Sequence, residues 1–147
     1  MMADQENGMS NYAGDVSPEE AWAALRDNPN ALLVDVRTQP EWAFVGIPDL
    51  SSIGKQPALI SWQIYPEMQR NAEFERQVAA VAADPDAPIY FLCRSGARSR
   101  AAAIAMSAQG YKACYNIAGG FEGDPDANRH RGSVNGWKAD RLPWIQQ

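Results

Sequence analysis

Two cysteines, Cys93 and Cys114, and one histidine, His130, are the only cysteine and histidine ligands in this 147-residue chain. They cannot assemble the four nitrogen and sulfur ligands of a usual zinc site, so metal catalysis is not expected. Basic residues are in deficit: 13 Lys and Arg face 18 Asp and Glu, a net charge of -5. That balance argues against a nucleic-acid footprint, which needs a clustered basic surface. No apolar run approaches the length of a membrane span. The stretch from Met1 to Tyr12 has neither the basic n-region nor the apolar h-region of an export signal. A soluble, cytoplasmic protein is expected. With 46% hydrophobic residues the chain can bury one core without a disulfide or metal staple.

Residues 1–14 read as a disordered leader and residues 15–147 as one domain. Ser17-Pro18-Glu19-Glu20 is a capping box with proline at the first helical position, and the helix it opens presents Trp22 and Leu25 inward before stopping near Asn28-Pro29. Ala31 to Val36 is a continuous apolar run of strand length, as in a parallel sheet covered on both faces. Leu59 to Tyr65 reads as another strand. Phe74, Val78 and Val81 repeat at helical spacing, and Pro88 to Leu92 is again a strand. Ala101 to Ala108 is an alanine-rich helix with Gly110 where a glycine cap belongs, Lys112 to Ala118 the next strand, and Ser133 to Asp140 a short closing helix. Strand alternates with helix throughout, which predicts an α/β fold with a central, mostly parallel sheet and helices on both faces.

The most informative stretch is Cys93-Arg94-Ser95-Gly96-Ala97-Arg98-Ser99. It joins the apolar strand to the alanine-rich helix, so the thiol sits on a strand-to-helix turn. Backbone N–H groups of such a turn point into a common concavity, and the first turn of the helix adds unpaired donors and the positive end of its dipole. Arg94 and Arg98 add full charges. This setting favours a thiolate and makes Cys93 the expected nucleophile. A buried structural cysteine is the plain alternative, but a core cysteine gains nothing from the arginines, serines and glycine around it. A Cys93–Cys114 disulfide stays open at this point, although a thiol on an arginine-lined turn is better explained as reactive, which favours a reducing compartment.

Each neighbour has an expected part. The Arg94 guanidinium suits the sulfonate-like end of an anionic donor. Ser95 and Ser99 can offer hydroxyls to the sulfur, and Gly96 permits the backbone turn that aims amides inward, with Ala97 completing the loop. Arg98 is placed to pair with a carboxylate such as Glu41 and brace the loop. Asp35 and Arg37, at a strand end, read as a structural ion pair or brace. Cys114 reads as core, His130 as exposed, and Trp22, Trp42 and Trp137 as core anchors. Trp62 and Tyr65 are the aromatic residues expected at a pocket mouth.

The heptad C-R-S-G-A-R-S resembles the active-site loop of bacterial single-domain rhodaneses, which are thiosulfate-type sulfurtransferases. Three further landmarks stand in family order: Leu32 to Arg37 followed by Glu41-Trp42, Ile117-Ala118-Gly119-Gly120-Phe121, and Gly136-Trp137 with Leu142-Pro143. The resemblance spans Ser17 to Trp144 and implies a single rhodanese-like domain. Its departures are a missing histidine in Val45-Gly46-Ile47-Pro48-Asp49-Leu50, a longer segment from Ser51 to Asn71, and Arg141 where a glycine often precedes Leu-Pro. The implied activity is transfer of a sulfane sulfur, from thiosulfate or a similar small anion to cyanide, a thiol or a protein cysteine. It would run through a covalent Cys93 persulfide with no other cofactor. Two rival readings remain: a cysteine phosphatase, whose loops resemble C-x5-R where this chain has C-x4-R, and a non-catalytic sulfur-relay or binding module.

Overall fold

A computed structural model of the chain describes residues 11–146. In chain order its elements are β1 (Gly14–Val16), α1 (Pro18–Asp27), β2 (Leu32–Asp35), α2 (Gln39–Phe44), β3 (Ile47–Pro48), a 3₁₀ turn at Ser51–Ile53, β4 (Ala58–Leu59), β5 (Gln63–Ile64), β6 (Gln69–Arg70), α3 (Phe74–Val81), β7 (Ile89–Leu92), α4 (Ala97–Ala108), β8 (Cys114–Ile117) and β9 (Trp144–Ile145). Five strands form one sheet in the order β1, β8, β7, β2, β4, and every pairing in it is parallel. The expected α/β architecture is therefore the observed one.

Side chains alternate across the sheet, and the two faces build two cores. Val34, Val36, Ile89, Phe91, Cys93 and Cys114 face Phe74 and Val78 of α3 and Ala102, Ala103 and Met106 of α4. Leu33, Tyr90, Leu92 and Ile117 face Ala21 and Leu25 of α1, together with Phe121 and Trp137 from the C-terminal part of the chain. Small alanines let α4 lie close against the sheet. Trp22 is half-buried and meets Trp137 edge-on, with ring centroids 6.0 Å apart. Among the expected anchors Trp137 alone is fully buried.

Local chemistry explains the helix ends. Ser17 Oγ accepts from the Glu20 amide at 3.0 Å while the Ser17 amide donates to Glu20 Oε1 at 2.8 Å, the reciprocal pair that the capping box predicts. At the far end of α4, Gly110 takes φ 99°, its amide bonds Ser107 O at 3.1 Å, and the Tyr111 amide bonds Met106 O at 3.2 Å. That is a Schellman close.

Three expectations need correction. Leu59 to Tyr65 is not one strand: only Ala58–Leu59 pairs with β2, and beyond the end of β2 the chain pairs with itself as the β5–β6 hairpin. Ser133 to Asp140 forms bends and a turn rather than a helix, because the amides of Trp137 and Lys138 bond the carbonyls of Gly120 and Phe121. The end of the expected leader is ordered instead: β1 starts at Gly14, and the Ala13 amide already bonds Cys114 O at 2.9 Å. Edge pairing along β8 orders these residues in spite of their polar composition. The rest of the expected leader, residues 1–10, lies outside the described residues.

Candidate active site

Parallel strands leave their carboxyl ends at one edge, and side chains from several of them meet there. Cys93 follows β7 directly, Asp35 ends β2, and the double-glycine turn Gly119-Gly120 follows β8. Cys93 is buried at the floor of its loop, and both cysteines carry free thiols. Cys114 lies in the core, where burial pushes its thiol up from the usual range.

The loop curls over the sulfur. The Gly96 amide donates to Cys93 Sγ at 3.1 Å, and Ser99 Oγ lies 3.2 Å from the same atom. Gly96 is the N-cap of α4 at φ 121°, a conformation that a side chain would strain. The backbone is fixed from behind: the Phe121 amide bonds Cys93 O at 2.8 Å, and the amides of Glu122 and Gly123 bond Arg94 O at 3.0 and 3.1 Å. Gly120 makes that approach possible. A Cβ there would stand 2.5 Å from Cys93 O and 2.6 Å from Arg94 O.

Two ion pairs brace this frame, both between residues that the sequence singles out. Arg98 holds Glu41 with two bonds, Nη1 to Oε1 at 2.8 Å and Nη2 to Oε2 at 3.0 Å. Burial opposes ionisation of Glu41, yet the Arg98 guanidinium and the Thr38 amide and hydroxyl outweigh it and hold the carboxyl down at about 2. Asp35 and Arg37 form a wholly buried pair at 2.7 Å, and Arg37 Nη2 also donates to Gly46 O at 2.8 Å. The guanidinium of Arg37 stacks over Phe121, 4.3 Å from the ring centre. These pairs tie β2, α2 and the turn after β8 to the cysteine loop.

Above the loop opens a shallow basin of about 440 Å³ lined by Arg94, Arg98, Arg131, Glu41, Glu122 and Met68. Arg94 is exposed and makes no ion pair among the described residues. Arg131 arrives from the polar tail loop, held by the Gly132 amide on Glu122 O at 2.8 Å and by its own bond to Gly123 O. Composition alone gave no sign of it. Met68 comes from the β5–β6 turn. Of the two aromatic residues expected at a pocket mouth, Trp62 is packed edge-on against Phe74, centroids 5.0 Å apart, and lies under Arg70. Tyr65 lines a neighbouring groove with Trp42 and Phe44. His130 is exposed, as expected. Ser95 is half-buried in the loop and Ala97 exposed on the first turn of α4.

The parallel five-stranded sheet thus carries the Cys93 loop at its carboxyl edge, at the entry to α4. The Rhodanese-like domain model matches residues 17–124, and the chain belongs to that family. In fold it is similar to Rv0390 from M. tuberculosis, with a TM-score of 0.84 and 45% identity over 92% of this chain and 99% of that one. A Rickettsia rickettsii protein of uncharacterised function is 44% identical over 126 residues, covering 85% of this chain and 91% of that protein. A thiosulfate sulfurtransferase, GlpE of Actinobacillus succinogenes, is 29% identical over 109 residues, 74% of this chain and 81% of that enzyme.

Proposed function

We propose that the protein is a sulfurtransferase working by double displacement on Cys93. The Cys93 thiolate attacks the outer sulfur of thiosulfate or a similar donor. A new S–S bond forms, the donor's own S–S bond breaks, and sulfite leaves with the electron pair. The Cys93 persulfide then gives its outer sulfur to a thiophilic acceptor, cyanide or a thiol, and the thiolate returns. No oxidant or further cofactor enters. The observation that carries this reading is the Gly96 amide at 3.1 Å from Cys93 Sγ, at the N-terminus of α4 and beneath a basin with three arginines. Preorganised donors of this kind stabilise sulfur-centred anions without reorganising.

The phosphatase reading is disfavoured by Arg98. The guanidinium that would cradle a phosphate is bound by both nitrogens to Glu41, and the C-x4-R ring is one residue short. The proposal includes a reducing, cytoplasmic setting, which suits two free thiols. No helix among the described residues is long and apolar enough to cross a membrane. Thiocyanate formation from thiosulfate and cyanide tests the activity: turnover is expected, and its absence, together with hydrolysis of an aryl phosphate, would reverse the choice.

A further inference from the structure

Beneath the cysteine loop runs a line of polar side chains that the proposed sulfur transfer does not use. Ser99, fully buried on the first turn of α4, has its Oγ 3.2 Å from Cys93 Sγ and 2.5 Å from Asn116 Oδ1. Asn116 is buried on β8, and its Nδ2 donates to Asp15 Oδ1 on β1 at 3.0 Å. Tyr12 donates its phenol to the same carboxylate oxygen at 2.8 Å. A hydroxyl has one proton, so Ser99 cannot donate to both of its neighbours.

The far end of the line decides which neighbour receives it. An ionised carboxylate only accepts, so Asn116 must turn its NH₂ toward Asp15 and its carbonyl toward Ser99. A carbonyl also only accepts, so the Ser99 proton lies on the Asn116 side. Ser99 therefore turns a lone pair toward Cys93.

We propose that Asp15 and Asn116 are positioning residues that hold the Ser99 proton away from Cys93, making Ser99 an acceptor for the thiol proton rather than a donor to the thiolate. The thiol form gains a partner in an apolar setting. The thiolate, left to the loop amides, keeps the electron density that a further donor would withdraw. The consequence for turnover rests on Cys93 as the nucleophile, whereas the titration of the thiol does not. The charged groups around the loop are Arg94 and Arg98 from the loop and α4, the Asp35–Arg37 pair from β2, Glu41 from α2, and Glu122 and Arg131 in the basin. None of them is altered in the variants Asn116→Leu, Asp15→Asn and Ser99→Ala.

The test is the alkylation rate of Cys93 by iodoacetamide against pH, read by mass spectrometry on the full chain at high salt to screen the charge lost from Asp15. Asn116→Leu removes the acceptor at similar volume and frees the Ser99 proton for the thiolate. The midpoint should fall by about half a unit to one unit, the scale of one hydrogen bond. Asp15→Asn, at an exposed position, lets the Asn116 amide turn over and should shift the midpoint the same way. In a Ser99→Ala background both falls should vanish. Unchanged or raised midpoints, or equal falls with and without Ser99, would overturn the proposal. If Asn116→Leu does not fold, the Asp15→Asn pair decides alone. A protein that shows the Ser99-dependent falls yet takes no sulfur from thiosulfate would sink the proposed function and leave this relay standing.

Discussion

Arg94 and Arg98 bring the same charge to the cysteine loop, but their surroundings assign them different parts. Arg98 is bound to Glu41 through two bonds, while Arg94 stands exposed at the basin with no ion-pair partner among the described residues. Removing Arg94 takes a free charge from the path of an anionic donor. For Arg94→Ala a loss of thiosulfate turnover on the order of ten-fold is expected, since one such charge is commonly worth ~1.4 kcal/mol. Arg94→Lys should recover part of it, because the charge stays and the planar fork is lost. Unchanged kcat/KM in Arg94→Ala would make Arg94 a bystander.

Glu41 gives a pH signature. Its carboxyl is lowered from the usual 4.5 to about 2 in the fold, so its contribution to stability is present above about 4.5 and is lost as pH falls toward 2. Denaturant midpoints of the native chain should drop through that window. Glu41→Gln should be less stable at neutral pH and flatter across the window, and a parallel slope in both would contradict the assignment. Both brace pairs were legible because each joins opposite charges to a strand end or loop of chemical composition. Asn116 was less so: a lone polar residue inside an apolar strand was the available signal, and its partners Ser99 and Asp15 are distant in sequence.

Among the elements, the turn after β8 carries the largest structural demand. Gly120, at φ 62°, lets the chain pass so close to Cys93 and Arg94 that any Cβ would collide with their carbonyls. Gly120→Ala should therefore cost about 2 kcal/mol or more and impair turnover, because the loop loses its fixed backing. Gly110→Ala, with nothing within 4 Å of its Cβ position, should cost only its left-handed φ and leave turnover intact. Equal effects of the two on turnover would contradict a role for loop backing.

Long elements were readable from periodicity and caps: α1 from its capping box, α4 from alanines and a terminal glycine, β2 and β7 from unbroken apolar runs. Two-residue strands were not. The antiparallel pair of β3 with β9 joins Ile47–Pro48 to Trp144–Ile145, and no local pattern marks so short a ladder. The segment from Ser133 to Asp140, expected as a short helix, carries Val134, Asn135 and Gly136, which are poor helix formers, and the amides of Trp137 and Lys138 serve the glycine turn instead. Arg141, in place of a frequent family glycine, indeed takes a left-handed φ of 60°.

On the scale of the whole molecule, a net charge of -5 surrounds one basin where arginines outnumber glutamates. If the proposed function holds, the basin attracts an anionic donor against the repulsion of the net charge, and kcat/KM for thiosulfate should fall as salt screens the basin. A salt-independent value would assign binding to the loop amides alone. The fold's contribution is rigidity. Strands β2, β7 and β8 fix the floor, and the buried Asp35–Arg37 pair locks β2 to the turn after α2 at Gly46. Asp35→Ala leaves Arg37 buried without its counter-charge and should cost about 3–5 kcal/mol in denaturant unfolding. A loss under 1 kcal/mol would mean that Arg37 finds water or another partner.

In the proposed reaction Cys93 alone carries the transferred sulfur. Intact mass spectrometry after incubation with thiosulfate, followed by peptide mapping, tests it directly. The native chain and Cys114→Ser should each gain one sulfur atom at Cys93, lost again on adding cyanide, while Cys93→Ser gains none. Sulfur retained by Cys93→Ser, or a folded native chain that takes up no sulfur at all, would contradict the account.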